Sequence, residues 1–80
     1  MSRLREREGR VLIGAGAVRS VAIEPAPGQG WAVVLRVGME ERPVASDRSD
    51  VRTWASLDTL IRWLKKLGVS GATIKIQRWA

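Results

Sequence analysis

The sequence predicts an α+β domain: a small, mainly antiparallel sheet of four strands with one helix on one face, in the order strand, strand, strand, helix, strand. Three observations carry that prediction. Residues 31–39, "WAVVLRVGM", alternate with a period of two, as a half-buried strand does. Residues 57–67 instead place Leu57, Leu60, Ile61, Leu64 and Leu67 at helical spacing. Eighty residues are enough for one domain around one core. The expected organisation is a flexible arm over residues 1–9 and a single domain over 10–80.

Taken in order, residues 2–10, "SRLREREGR", mix Arg and Glu with one apolar residue, too little burial to offset the entropy of ordering the chain. That reads as the arm. Residues 11–24 are apolar and β-branched, interrupted at Gly14 and Gly16, which predicts a strand bent or bulged at the glycines. The "GAG" there lacks the third glycine and the following helix that a dinucleotide-binding loop needs. "PAPGQG", 25–30, is a turn, since two prolines and two glycines cannot continue a ladder. In the next strand Trp31, Val33, Leu35, Val37 and Met39 share the core face, and Ala32, Val34, Arg36 and Gly38 the other.

"EERP", 40–43, reads as a turn, and 43–54 as a third extended segment with "SDRSD" as bulge or local loop. Its end, "VRTW", offers Val51 and Thr53 to one side and Arg52 and Trp54 to the other. The helix follows, with Ser56 as N-cap, Asp58 in the first turn, Lys65 and Lys66 in the last, and Gly68 as the stop. Trp63 falls at the border of its apolar stripe, and Arg62, Lys65 and Lys66 line the wet face. "TIKIQRW", 73–79, is the final strand, with Ile74 and Ile76 inward and Lys75, Gln77 and Trp79 outward.

One helix covers one face of such a sheet and leaves the other open. A wet face ordinarily carries polar residues. This one is expected to carry Ala32, Val34, Arg36, Lys75, Gln77 and Trp79, with Arg52 or Trp54. Three readings compete: a self-association surface that adds core area to a small domain, a nucleic-acid platform on which a ring stacks bases while bases of the other kind (Arg and Lys) hold phosphates, and simple packing of Trp79 against a loop.

Composition narrows the function. The formal charge is +6 and the pI about 11.4. Eleven of the fourteen basic residues are Arg, which suits bidentate phosphate contacts, although a GC-rich genome produces the same bias. The chain has no Cys and no His. Disulfide and thiol chemistry are therefore excluded, and a metal site would need carboxylates alone, which lack a ligand-like spacing. We expect no cofactor and no metal, and a protein that is not an enzyme. No apolar run approaches the ~20 residues of a membrane span, and the N-terminus is charged, so the expectation is a cytoplasmic protein with no membrane partner.

"RTWASLDTLIRWLKKLGVSGATIKIQRW", residues 52–79, resembles the small partition-associated (ParC-type) proteins of plasmids and integrating conjugative elements. A strand ending in Arg-x-aromatic, Ser-Leu-Asp opening a helix, then Leu-Gly and a last strand carry the likeness. It implies a small DNA-maintenance accessory. The order of elements also resembles, more loosely, the coactivator-like and Whirly-like single-stranded DNA binders, which present a curved sheet and dimerise.

Residues and resemblance together predict a homodimer that binds nucleic acid, DNA rather than RNA and single strands rather than duplex. Arg36, Arg52, Trp54, Lys75, Gln77 and Trp79 would form the binding face, with secondary basic contacts from Arg48, Arg62, Lys65 and Lys66. The alternative is an adaptor without direct nucleic-acid contact, holding a plasmid-encoded protein partner on the same face.

Overall fold

The structure, a computed structural model, describes residues 4–26, 28–46 and 51–75. Among these residues it is α+β with five strands and two helices. The strands are β1 (Leu4–Arg5), β2 (Val18–Pro25), β3 (Trp31–Val37), β4 (Glu40–Ala45) and β5 (Thr73–Ile74). The helices are α1 (Glu6–Gly14) and α2 (Leu57–Lys66). In the sheet the strands lie in the order β1-β4-β3-β2-β5. Its centre is the expected antiparallel meander, β2 with β3 and β3 with β4. The two-residue edge strands are both parallel to their neighbours, which makes the sheet mixed: Leu4 pairs with Val44, and Ile74 with Ile23.

The four-stranded, one-helix expectation is corrected at the N-terminal end. Residues 4–14, read as an arm running into a bent strand, form β1 and α1. Leu4 is buried at 2 % exposure and anchors β1 in the core. Along α1, Gly9, Leu12 and Ile13 fall on one face; a Cβ at Gly9 would stand 3.3 Å from Leu35 Cδ1, and Leu12 and Ile13 pack against the core. Glycine here lets the helix backbone approach the sheet closely. The Arg5 amide donates to Glu8 Oε1 at 3.1 Å, fixing the first turn. Gly14 and Gly16 end the helix instead of bending a strand. Gly16 N–H donates to Ile13 and Ala17 N–H to Leu12, the two crossed hydrogen bonds that close a helix C-terminus.

A second correction concerns 40–54. The expected "EERP" turn lies inside β4, and the chain reverses at Gly38–Met39, with Met39 exposed. β4 ends at Ala45, so 43–54 is not one extended segment. β1 pairs with Val44 and Ala45, and among the described residues no strand pairs with the outer side of Glu40–Pro43. Charged residues and a proline there discourage pairing with another chain.

α2 matches its sequence expectation closely. Ser56 Oγ accepts from the Thr59 amide at 3.4 Å, and Leu60 and Leu64 are buried. Both helices lie on the face of the sheet that carries Val21, Ile23, Val33, Leu35 and Val44, and these residues close the core with Leu4, Trp54, Leu60 and Leu64. No helix is long and apolar enough to cross a membrane among the described residues. The opposite face, at whose centre stand Ala22, Ala32, Val34 and Pro43, carries no helix among the described residues.

Candidate functional site

Glu6, in the first turn of α1, is the hub of a cluster that joins three distant parts of the chain. One carboxylate oxygen accepts a hydrogen bond from the Arg52 guanidinium. The other accepts from the Trp63 indole N–H at 3.0 Å and lies 3.8 Å from Arg10 Nη2. Arg52 is oriented from several sides at once. Its amide donates to the Val44 carbonyl at 2.8 Å, and its guanidinium carbon stands 4.6 Å from the Trp54 ring centre and 5.6 Å from that of Trp63. The two indoles meet at 4.9 Å with 48° between their planes. A guanidinium held between a carboxylate and aromatic faces loses much of its rotational freedom before any ligand arrives.

The side chains of Glu6 and Arg52 are 35 % and 32 % exposed. Solvent therefore screens the pair, whose contribution to stability is ~1 kcal/mol or less. Its importance is geometric. Beside it lies an open depression of about 580 Å³ lined by Arg5, Glu6, Arg7, Glu8, Arg10, Ala45, Ser46 and Arg52. Among the described residues four arginines thus line it with two acids. Glu8 accepts from the Arg5 amide and Glu6 from Arg52 and Trp63, and Arg10 stands beside Glu6 as well.

The residues singled out from the sequence are divided by the structure. Arg52 belongs to this cluster. Trp54 does as well, but it is only 5 % exposed and faces the core, where Trp63 covers it. Arg36 is exposed on the open sheet face, directly across from Glu41 on β4. Lys75 is on that face too, 3.5 Å from Glu24. Charges on that face are therefore offset locally. Arg62, Lys65 and Lys66 are exposed along α2, as the helical wheel requires. Arg48, Gln77 and Trp79 lie outside the described residues.

Sequence reasoning missed Glu6, Arg7 and Arg10. The available signal was the i,i+4 pair Glu6–Arg10 with apolar residues at positions 12 and 13 of the same helix, hidden by the glycine at position 9.

A family model described as ParC-like matches residues 5–80. No curated protein and no solved structure matches the chain significantly.

Proposed function

The chain belongs to the ParC-like family, which points to a plasmid-associated protein, and from that premise we propose that it binds nucleic acid through backbone phosphates as an accessory to plasmid or mobile-element maintenance. One observation carries the reading: Arg5, Arg7, Arg10 and Arg52 gather around a single depression whose acids are already engaged. A chain of formal charge +6 adds a general attraction to polyanions. The exposed Arg62, Lys65 and Lys66 extend the basic surface along α2.

This assignment moves the phosphate contacts from the sheet face to the helix side. It also makes recognition electrostatic, because Trp31, Trp54 and Trp63 are all mostly covered and offer no free ring to a base. The preference for single strands rests on Trp79 alone. A salt titration tests the proposal on single-stranded DNA, duplex DNA and RNA. The logarithm of the binding constant should fall linearly with the logarithm of salt, and Arg10→Ala should lower the slope by ~0.7–0.9, while Arg36→Ala should leave it unchanged. A slope near zero for all three nucleic acids would remove the proposal.

A second reading is favoured by the open sheet face. Small apolar residues, Ala22, Ala32, Val34 and Pro43, occupy its centre, and the Glu24–Lys75 pair and the facing Arg36 and Glu41 flank them. A surface with an apolar middle and offset charges suits a second copy or a protein partner, as an adaptor would require. It is compatible with the first reading, since it uses the opposite side of the sheet. We expect a homodimer. Sedimentation at micromolar concentration decides it: a mass of 8.8 kDa would mean a monomer and end the self-association reading.

A further inference from the structure

We infer that the depression beside α1 is a discrete site for a phosphomonoester dianion, such as the terminal phosphate of a nucleic-acid strand, rather than one more contact along the backbone. The inference deepens the nucleic-acid reading and rests on it for the source of the phosphate.

Charge and the fixed Arg52 fork carry it. Among the described residues the lining holds Arg5, Arg7, Arg10 and Arg52 against Glu6 and Glu8, an excess of two positive charges. A backbone phosphodiester brings one negative charge, whereas a phosphomonoester brings about −1.5 to −2 at pH 7 and three acceptor oxygens. The dianion therefore matches the excess that a diester leaves half balanced.

Arg52 is the residue that makes the site selective. Glu6 holds one of its terminal nitrogens, Trp54 lies 4.6 Å from its guanidinium carbon, and its amide is bonded to Val44. The remaining donors of the fork are thus fixed in direction, which is the arrangement that recognises a planar pair of phosphate oxygens. Arg7 and Arg10, both exposed on α1, add charge around it, Arg10 from beside Glu6 at 3.8 Å.

The test compares one short single-stranded oligonucleotide carrying a 5′-phosphate with the same strand carrying a 5′-hydroxyl, and adds inorganic phosphate as a third ligand. The 5′-phosphorylated strand should bind on the order of tenfold more tightly. Arg52→Lys, which keeps the charge and removes the fork, should erase that preference and also weaken binding of the 5′-hydroxyl strand, but by less than that of the 5′-phosphorylated strand. Arg7→Gln, at an exposed position, should reduce it without lowering the melting temperature, so that loss of fold cannot be mistaken for loss of site. Inorganic phosphate should raise the melting temperature above that in chloride at equal ionic strength. With no His and no Cys in the chain, a preference that grows through pH ~6 reports the second ionisation of the phosphate.

Equal affinity for the two strands, with an ordinary salt slope, would overturn the site and leave the nucleic-acid reading standing. Stabilisation by inorganic phosphate that Arg52→Lys abolishes, with no oligonucleotide bound, would uphold the site, remove the nucleic-acid reading, and assign the phosphate to a small molecule. No response to any of the three ligands would overturn both.

Discussion

Leu60→Ala is expected to cost ~2–5 kcal/mol of stability, a large share of what a domain of this size has. Leu60 has 0 % exposure and belongs to the cluster that includes Leu4, Val33, Leu35 and Trp54. Truncation removes three carbons from a closed space and leaves a cavity that the neighbouring sheet cannot collapse to fill. An 80-residue domain has a total of roughly 4–12 kcal/mol to lose, at about 0.05–0.15 kcal/mol per residue. A thermal melt should therefore move by about 4–8 °C for each kcal/mol, and part of the protein could already be unfolded at 37 °C. Lys65→Ala, on the exposed face of the same helix, serves as the control and should stay within ~0.5 kcal/mol. Equal melts for the two variants would show that α2 does not close the core. The functional site would follow the fold, because Trp63, three residues along from Leu60, carries the indole that fixes Glu6.

α2 was legible because several independent signals agreed over ten residues: a 3.6-residue apolar period, Ser56 as cap, acid first and base last, and a glycine stop. β3 was legible for a similar reason, since it is long and its inward positions, Val33 and Leu35, are apolar without exception. α1 was not. Its buried face is made of Gly9, Leu12 and Ile13, and the residue in closest approach to the sheet is the one with no side chain at all. Propensity scales count that glycine against a helix, whereas a Cβ there would press on Leu35 Cδ1 at 3.3 Å, so the close packing favours it. β4 was misplaced because Glu40, Glu41 and Pro43 look like a turn. Their position on a stretch of edge with no outer neighbour among the described residues removes the cost that a proline and two acids would carry in a central strand.

The site was half legible. Arginine enrichment pointed to an anionic partner, and Arg52 and Trp54 were both named. What joins them could not be read locally. Glu6 meets Arg52 across 46 positions and Trp63 across 57, and no spacing rule connects residues so far apart before the sheet order is known. The parallel pairing of β1 with β4 brings the start of α1 beside the return of the chain at Arg52. A sheet of four antiparallel strands preceded by a loose arm has no such meeting point. Missing one short parallel edge strand therefore left the Glu6–Arg52–Trp63 cluster out of the sequence-based expectation, which rested on the opposite face of the sheet.

Gly30→Ala should be the most damaging substitution outside the apolar core, at ~2–4 kcal/mol. Gly30 has φ +87°, where an L-residue pays ~1–2 kcal/mol in backbone strain. Strain alone does not set the effect. A Cβ at this position would stand 2.7 Å from the Trp54 carbonyl oxygen, closer than non-bonded atoms allow. That oxygen cannot retreat freely, because it accepts from the Trp31 amide at 2.8 Å while the Trp54 amide donates to the Trp31 carbonyl at 2.8 Å. Relief of the clash breaks this bridge, adding about 0.5–1.5 kcal/mol for each hydrogen bond lost. Gly38 provides the comparison. Its φ is +62°, yet a Cβ there meets nothing within 4 Å, so Gly38→Ala should show the strain by itself. The difference between the two melts isolates the contact with Trp54. Because Trp54 also supports the Arg52 guanidinium, Gly30→Ala should weaken phosphate binding beyond what its melt accounts for, while Gly38→Ala should not. A Gly30→Ala protein as stable as Gly38→Ala would show that the Trp31–Trp54 bridge is loose, and with it the support of the Arg52 guanidinium.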